Sequence, residues 1–218
     1  QLDMQQAMMY TYVCQRAATH GSSVKVTFNG RPLPMTTFKS YMTSFPVTKP
    51  CNLLVDDKLE IGFGLAEEHG HQTFVNNCYT PDGGTHYQFV VDKICFAIQS
   101  YFRKKCKTNT RMSSANIRSK LFVFVKIRLD RPRFTSQTKV QLSTPITGHQ
   151  IDPALVVKHA KTCGLLDVME AELNAKELSS LDRAMSGNKK RKLAIEKLID
   201  APWAGGPKSG ECSLIVTE

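Results

Sequence analysis

The stretch Leu121–Gln141, LFVFVKIRLDRPRFTSQTKVQ, decides the fold. It opens with an apolar run rich in Phe and Val, Leu121–Val125, which predicts a largely buried strand. Lys126 and Arg128 then alternate with apolar residues, so one face of the strand meets solvent while the other stays packed. Pro132 lacks a backbone N–H and ends the strand. The sequence therefore predicts a largely buried strand that ends at Pro132.

A loop with an apolar anchor and a polar tip follows this strand. It runs from Phe134 to Lys139, and its tip reads Ser136-Gln137-Thr138-Lys139. A lysine is a mobile point charge with three donors, and a glutamine adds neutral donors beside it, so the tip suits an anion. A solvated surface loop has the same composition, and from the residues alone both interpretations stay open.

The first fifty residues predict a helix, a short strand and a connector. Apolar spacing predicts a helix over Leu2–Ala18 that Gly21 ends. Alternation predicts a strand over Val24–Phe28, with a turn at Asn29-Gly30. Met35–Pro50 is rich in Thr, Ser and Pro and predicts a connector.

Two strands and a helix are predicted next. Lys58–Leu65 and Gln72–Thr80 predict an antiparallel pair around the turn Glu67–Gly70. After a tight turn, Thr85 is the expected N-cap of a long helix, with Gln88 as its capping-box partner. That helix ends in Arg103-Lys104-Lys105, where cations also suit the helix dipole.

The remaining elements complete an α/β layer. Cys106–Asn116 predicts a polar, mobile loop, and Asp152-Pro153 predicts the start of a helix that runs to about Cys163. Gly164 breaks it, and a longer helix follows from Leu165 towards Ala184. We predict a mixed four-stranded sheet with helices on one face and a long C-terminal helix.

Length and composition limit the classes of protein to which this chain can belong. The 218 residues allow one good-sized domain plus flanking pieces, and both ends look cut from a longer chain. No apolar run approaches the roughly 20 residues of a membrane span, and no signal peptide leads the chain. Seven scattered cysteines without a C-x-x-C predict reduced thiols in an intracellular protein. His69 and His71 lie in a predicted turn without partner cysteines, which indicates surface histidines rather than metal ligands.

Positive charge is concentrated in one segment. The chain carries a net charge of +10, and between Tyr101 and Arg133 there are eleven Lys or Arg and one acidic residue, Asp130. The expected partner is polyanionic. Nucleic acid is favoured over anionic lipid, because no amphipathic Lys/Trp helix pattern accompanies the charge.

Four stretches in the same order resemble one family. PRFTSQTKVQL resembles the P-x-F-x-S-Q-T-K signature that ends the central strand of the transducer domain in eukaryotic-type type IIA DNA topoisomerases. Phe74–Ile94 resembles the family's S-F-V-N-s-I-x-T-x-x-G-G-T-H-V, and Val24–Pro34 resembles the last strand of its ATPase domain. Asp200–Glu218 resembles the run into the TOPRIM domain, D-A-x-x-A-G-G…C-x-L-I-L-T-E. The divergence between these motifs suits an enzyme of a large DNA virus, such as that of African swine fever virus, better than an animal or yeast one.

The resemblance implies a domain layout. Residues 1–34 would end the ATPase domain, residues 35–199 would form a transducer domain with a ribosomal-protein-like fold, and residues 200–218 would be a linker and the first TOPRIM strand. It also implies that Gln137, Thr138 and Lys139 bind ATP, with Lys139 as the catalytic residue that touches the γ-phosphate. The family's catalytic base and magnesium ligands lie upstream, so the fragment alone is expected to be inactive.

The same family resemblance implies a metal-binding site and a DNA-binding site. Glu218 matches the glutamate of L-I-L-T-E, which the family uses as a Mg²⁺ ligand beside the DNA cleavage site, with companion acids beyond residue 218. Arg103, Lys104, Lys105 and Lys107 match a basic run that contacts the transported duplex. Lys189–Lys192 either adds to that DNA surface or is a solvated helix end.

Two functions follow from these patterns. The first is the transducer region of a homodimeric, ATP-dependent type II topoisomerase that couples ATP hydrolysis to passage of double-stranded DNA, together with its own ATPase and TOPRIM domains and without a membrane. The second is a stand-alone basic nucleic-acid-binding module without ATP coupling. A gyrase or DNA-repair ATPase with the same two-domain layout is a rival within the first class. A viral enzyme would work in host cytoplasmic factories, and the alternative location is the nucleus.

Overall fold

The computed structural model describes residues 3–21, 24–105, 112–187, 203 and 206–213. The chain divides into two compact units, residues 1–171 and 172–218. Within the described residues, no helix combines the length and the apolarity that a bilayer crossing needs. The elements, in chain order, are α1 (Met4–His20), β1 (Thr27–Phe28), β2 (Arg31–Pro32), α2 (Phe38–Met42), β3 (Thr48–Leu54), β4 (Leu59–Leu65), β5 (Gly70–Val75), β6 (Cys78–Tyr79), α3 (Thr85–Lys105), α4 (Ser114–Ser119), β7 (Leu121–Ile127), α5 (Pro153–Thr162), α6 (Leu165–Gly187) and a 3₁₀ turn (Ser209–Glu211).

The main sheet has five strands in the order β3-β4-β7-β5-β6. β7 is central, as the family resemblance implies, and pairs antiparallel with β4 and parallel with β5. The prediction that β4 and β5 pair with each other is therefore wrong, because β7 lies between them. The most apolar strand gains two partners in this way and is buried on both edges.

Two further strands explain why the sheet has five strands and not four. Thr48–Leu54, inside and beyond the predicted connector, forms the edge strand β3. Pro50 is tolerated there because an edge strand leaves part of its backbone unpaired. The predicted strand Gln72–Thr80 is split into β5 and β6 by Asn76 and Asn77, which have φ angles of 47° and 63°. Asparagine adopts this left-handed conformation readily and makes a tight hairpin turn.

Both faces of the sheet are covered, so the prediction of helices on one face is also wrong. On one face, Phe124 of β7 packs with Phe38, Tyr41 and Met42 of α2 in a buried apolar cluster. Alternate residues of β7, such as Val123, point to the opposite face and are also fully buried. The long helix α3 packs against β7 and in turn against α5.

The caps show where local signals succeeded and failed. Asp152 caps α5 as predicted, since its Oδ1 accepts a hydrogen bond of 2.8 Å from the Ala154 amide. Thr85 does not act as the predicted capping-box residue: it is the first residue of α3, and its hydroxyl donates to the Thr144 carbonyl. The Gln88 side chain donates instead to Asp92. A capping box is present in α2, between Thr37 and Ser40.

Other predicted elements agree with the structure. α1 occupies the predicted first helix and ends at Gly21, and α6 begins at Leu165 after the break at Gly164. Of the predicted loop Cys106–Asn116, residues 106–111 lie outside the described part of the chain, and α4 begins at Ser114 with Ser113 as its N-cap. In the second unit, the Lys208 ammonium lies 5.4 Å from the centroid of the Trp203 ring.

Candidate functional site

The loop predicted to bind an anion is closed by a short antiparallel stem. We call Phe134–Leu142 the lysine loop. Its two ends, Phe134 and Leu142, form an antiparallel bridge, and the Thr135 amide donates to the Gln141 carbonyl at 3.1 Å. One step further out, the Ser143 amide donates to the Arg133 carbonyl at 2.9 Å. These bonds fix the direction in which the tip projects.

The tip presents polar groups to solvent. Gln137, Thr138 and Lys139 are all exposed and lie in one turn, which the Lys139 amide closes by donating to the Ser136 carbonyl at 3.1 Å. Lys139 has a φ angle of 58°, a left-handed conformation that is uncommon for a residue with a side chain. Its ammonium lies 6.0 Å from the centroid of the Phe134 ring. The structure thus brings the three predicted ATP-binding residues together, and their amide, hydroxyl and ammonium donors suit a phosphate.

The stem of the lysine loop rests on the turn before α3. We call this turn, Asp82–Thr85, the seat. The Leu142 amide donates to the Gly83 carbonyl at 3.0 Å, and the Thr85 amide donates to the Leu142 carbonyl at 3.1 Å. The Asp82 amide donates to the Val140 carbonyl at 3.0 Å. Leu142 is buried, so the lysine loop has an apolar anchor under its polar tip.

The predicted DNA-binding cations lie at the other end of the same helix. We call Arg103-Lys104-Lys105, the last three residues of α3, the basic helix end. All three are exposed, and they lie where the helix dipole favours cations. Lys105 forms an ion pair with Glu170 of α6 at 2.6 Å. A helix of this length spans about 30 Å at ~1.5 Å per residue, so the seat and the basic helix end are far apart.

Several other cations of the basic segment make contacts within the protein. Arg118 pairs with Asp92 at 2.7 Å, and Lys126 pairs with Glu60 on the neighbouring strand. The Arg128 guanidinium donates to the Asp57 carbonyl. These cations hold elements together, so the charge that the sequence counts as one cluster is partly structural.

Three predicted positions lie outside the described residues. They are Lys107 of the predicted DNA surface, Glu218 of the predicted magnesium site, and the run Lys189–Lys192. Among the residues that the structure describes, no group of three or more His, Cys, Asp or Glu side chains is arranged to hold a metal ion.

His69 and His71 pack around Tyr87 at the start of α3. The His71 ring stacks on the Tyr87 ring with centroids 4.6 Å apart, and His69 Nε2 lies 3.0 Å from the Tyr87 hydroxyl. His71 lies on β5 rather than in the predicted turn. Burial lowers the pKa of His71 despite its hydrogen bond to the Pro81 carbonyl. These contacts are structural, and no local sequence pattern predicts them apart from the aromatic residue that follows the Gly-Gly pair.

Sequence relatives cover nearly the whole chain. The family model for DNA gyrase B matches residues 39–158, more than half of the chain. DNA topoisomerase 2 of Arabidopsis thaliana is 33% identical over 230 residues, which is 97% of this chain and 15% of that protein. DNA topoisomerase 2-beta of Mus musculus is 30% identical over 209 residues, which is 89% of this chain and 13% of that protein. The chain thus spans about a seventh of the length of these relatives.

Solved structures share the fold. The ATPase region of Saccharomyces cerevisiae topoisomerase II matches with a TM-score of 0.69 at 24% identity, over 80% of this chain and 46% of that one. The ATPase and transducer domains of DNA topoisomerase II from Balamuthia mandrillaris match with a TM-score of 0.71 at 23% identity, over 78% and 44%. Together with the matched family model and the sequence relatives, this fold identifies the chain: it belongs to the DNA gyrase B family and corresponds to part of the ATPase and transducer region of eukaryotic-type type II DNA topoisomerases.

Proposed function

We propose that this chain relays the ATP state of a double-strand-passage DNA topoisomerase to its DNA-binding parts. The observation that carries the proposal is the lysine loop: an exposed Gln137-Thr138-Lys139 tip held on a hydrogen-bonded stem. In the full-length protein this tip would enter the ATPase domain and contact the terminal phosphate of ATP through Lys139 and Gln137. ATP is the co-substrate of the proposed reaction, and the phosphates it presents match the donors of the tip.

A single lysine on a hydrogen-bonded stem is a suitable sensor of a phosphate. A ligand shifts a conformational equilibrium only by its differential interaction with the two states. The Lys139 ammonium interacts strongly with a terminal phosphate and loses that partner once the phosphate leaves. Positioning and stabilisation of charge are also the main sources of catalysis in phosphoryl transfer. Lys139 would therefore act both on turnover and on the position of the transducer.

The basic helix end supplies the second part of the proposal. Arg103 and Lys104 are exposed at the end of α3, and the helix runs without interruption from there to the seat of the lysine loop. Contacts from such cations to DNA go to phosphates and carry little sequence information. We infer that this end faces the transported duplex.

The wider proposal concerns regions outside the described residues. The full-length protein would be a homodimer whose Mg²⁺ site at the DNA cleavage centre includes Glu218. It would act on double-stranded DNA wherever that DNA is kept: in cytoplasmic factories for a viral enzyme, or in the nucleus for a cellular one.

ATP turnover of the full-length protein tests the proposal. We expect Lys139→Ala to slow turnover by at least about 100-fold, because the removed charge acts on the transferred phosphoryl group. The matched control is Lys161→Ala, which removes an equally exposed lysine from α5 and should leave turnover unchanged. Normal turnover in Lys139→Ala would refute the relay. DNA binding that persists in such a protein would then favour the second candidate, a basic nucleic-acid-binding module without ATP coupling.

A further inference from the structure

Gly84 makes the closest approach between the seat and the lysine loop. A Cβ atom built on Gly84 would lie 2.3 Å from the Leu142 carbonyl oxygen and 2.6 Å from the Leu142 nitrogen. Both neighbours are backbone atoms, so they cannot move aside as the end of a flexible side chain can. Any other residue at this position would push the stem of the lysine loop away from α3.

The backbone conformation of residue 84 is a second, independent reason why only glycine fits there. Gly84 has a φ angle of 126°, outside the left-handed helical region that other residues sometimes occupy. At this turn the seat and the lysine loop lie in direct backbone contact, and Gly84 and Leu142 form a parallel bridge. Gly84 therefore sets the distance between the loop and the helix.

Hydrogen bonds from both sides of Gly84 keep the loop in register. Gly83 accepts from Leu142, Thr85 donates to Leu142, and the Thr85 hydroxyl donates to the Thr144 carbonyl at 2.5 Å. The loop is thus attached to the first turn of a helix that packs on the central strand. A loop fastened in this way cannot shift its tip without moving or breaking the seat.

We propose that Gly84 is a positioning residue for Lys139, and that the seat holds the lysine loop at the one height from which its tip can reach a phosphate. This inference rests on the proposed function of Lys139. A misplacement of about 1 Å at a reacting phosphate is enough to slow a reaction by roughly 100-fold. Gly84 touches no phosphate itself, and its effect passes through the loop.

The test compares Gly84→Ala with a matched glycine in the full-length protein. Gly148→Ala is the control, because Gly148 also has a positive φ angle, of 85°, and an added Cβ there meets nothing within 4 Å. We expect Gly84→Ala to lower kcat for ATP hydrolysis at least about tenfold while changing KM less than about threefold, since loop position affects turnover more than ATP capture. Gly148→Ala should change neither. Thr85→Val removes only the hydrogen bond to Thr144 and should lower kcat by a smaller factor. This variant tests the inference if Gly84→Ala does not fold.

A double variant separates positioning from general damage. If Gly84 acts through Lys139, then Gly84→Ala adds no further loss of kcat in the Lys139→Ala background, because residues that act as a unit are not additive. A loss that multiplies with that of Lys139→Ala, or normal kcat in both Gly84→Ala and Thr85→Val, overturns the inference. If Lys139→Ala is slow and the seat variants are normal, the inference alone fails. If Lys139→Ala itself is normal, the proposed function fails first.

Discussion

Lys105 donates to both carboxylate oxygens of Glu170, at 2.8 and 2.6 Å. This contact joins the C-terminal end of α3 to the start of α6. One cation of the basic helix end therefore already has an acidic partner. A DNA phosphate would have to compete with Glu170 for the same ammonium. Glu170 therefore lowers the positive charge that this end offers to a polyanion.

Removing that carboxylate is expected to strengthen DNA binding. Glu170→Gln removes the negative charge beside Lys105, so the basic helix end becomes more positive and we expect duplex affinity at low salt to rise several-fold. Each added phosphate contact steepens the plot of log K against log[salt] by about 0.9. Glu172→Gln is the control, because it removes the same charge two residues further along α6, where the side chain points to a different side of the helix. Equal effects of the two variants would indicate that only the net charge of the protein matters, and not the position of Glu170 beside Lys105.

The two other cations of the basic helix end give a prediction of opposite sign. Arg103→Gln combined with Lys104→Gln should weaken duplex binding similarly for unrelated sequences, because phosphate contacts carry no base information. The salt slope should become shallower by about 2, since two phosphate contacts are lost. Binding titrations over a range of salt concentrations measure both quantities.

The matched control removes two exposed lysines from α5. Lys158→Gln combined with Lys161→Gln lowers the net charge equally on a different helix, and should leave the salt slope nearly unchanged. A changed sequence preference with an unaltered slope in the α3 variant would contradict the proposed phosphate contacts.

The elements that sequence predicted well are those with strong local signals. The apolar run of β7 predicted a buried strand, and the Asp152-Pro153 pair predicted the start of α5, because strand burial and helix capping depend on residues that are adjacent in the chain. The tip around Lys139 was also predicted from its residues. What these residues could not encode is which strands pair: β7 lies between β4 and β5, although those two strands follow each other directly in the sequence.

The parts of the site that sequence missed are contacts between distant segments. Nothing local to Gly84 predicts that its Cα faces Leu142, and nothing local to Lys105 predicts Glu170 as its partner. For the same reason, the count of basic residues did not show which of them form ion pairs within the protein. Lys126 pairs with Glu60 across two strands, and only the strand register brings those side chains together.

His86, next to the seat, is a buried histidine whose charge is disfavoured in the folded protein. It is fully buried, its Nε2 lies 3.3 Å from the Thr80 hydroxyl, and its Nδ1 has no hydrogen-bond partner among the described residues. Burial, with a smaller contribution from the nearby His71, lowers the pKa of His86 to about 3 from an ordinary value of 6.5. The folded chain therefore keeps this imidazole neutral at pH values where the unfolded chain protonates it.

This difference predicts how stability changes with pH. Between pH 6.5 and about 3, unfolding takes up a proton at His86, so the free energy of unfolding falls by about 1.4 kcal/mol for each unit that the pH drops. Above pH 6.5 both states are neutral at this position, and the stability is fully present. Urea unfolding of the wild-type chain at pH 7 and pH 5 should therefore differ by about 2 kcal/mol through this residue alone.

His86→Gln separates this contribution from that of other groups. The substitution removes the titrating imidazole while keeping a polar side chain near Thr80, so we expect lower stability at pH 7 but a flatter dependence between pH 7 and pH 5. His159→Gln is the control: burial also lowers the pKa of His159, but that residue is only half-buried on α5, and a smaller change in slope is expected. If His86→Gln keeps the full wild-type slope, the imidazole is not the group that takes up the proton on unfolding, and its burial does not determine the acid sensitivity of this fold.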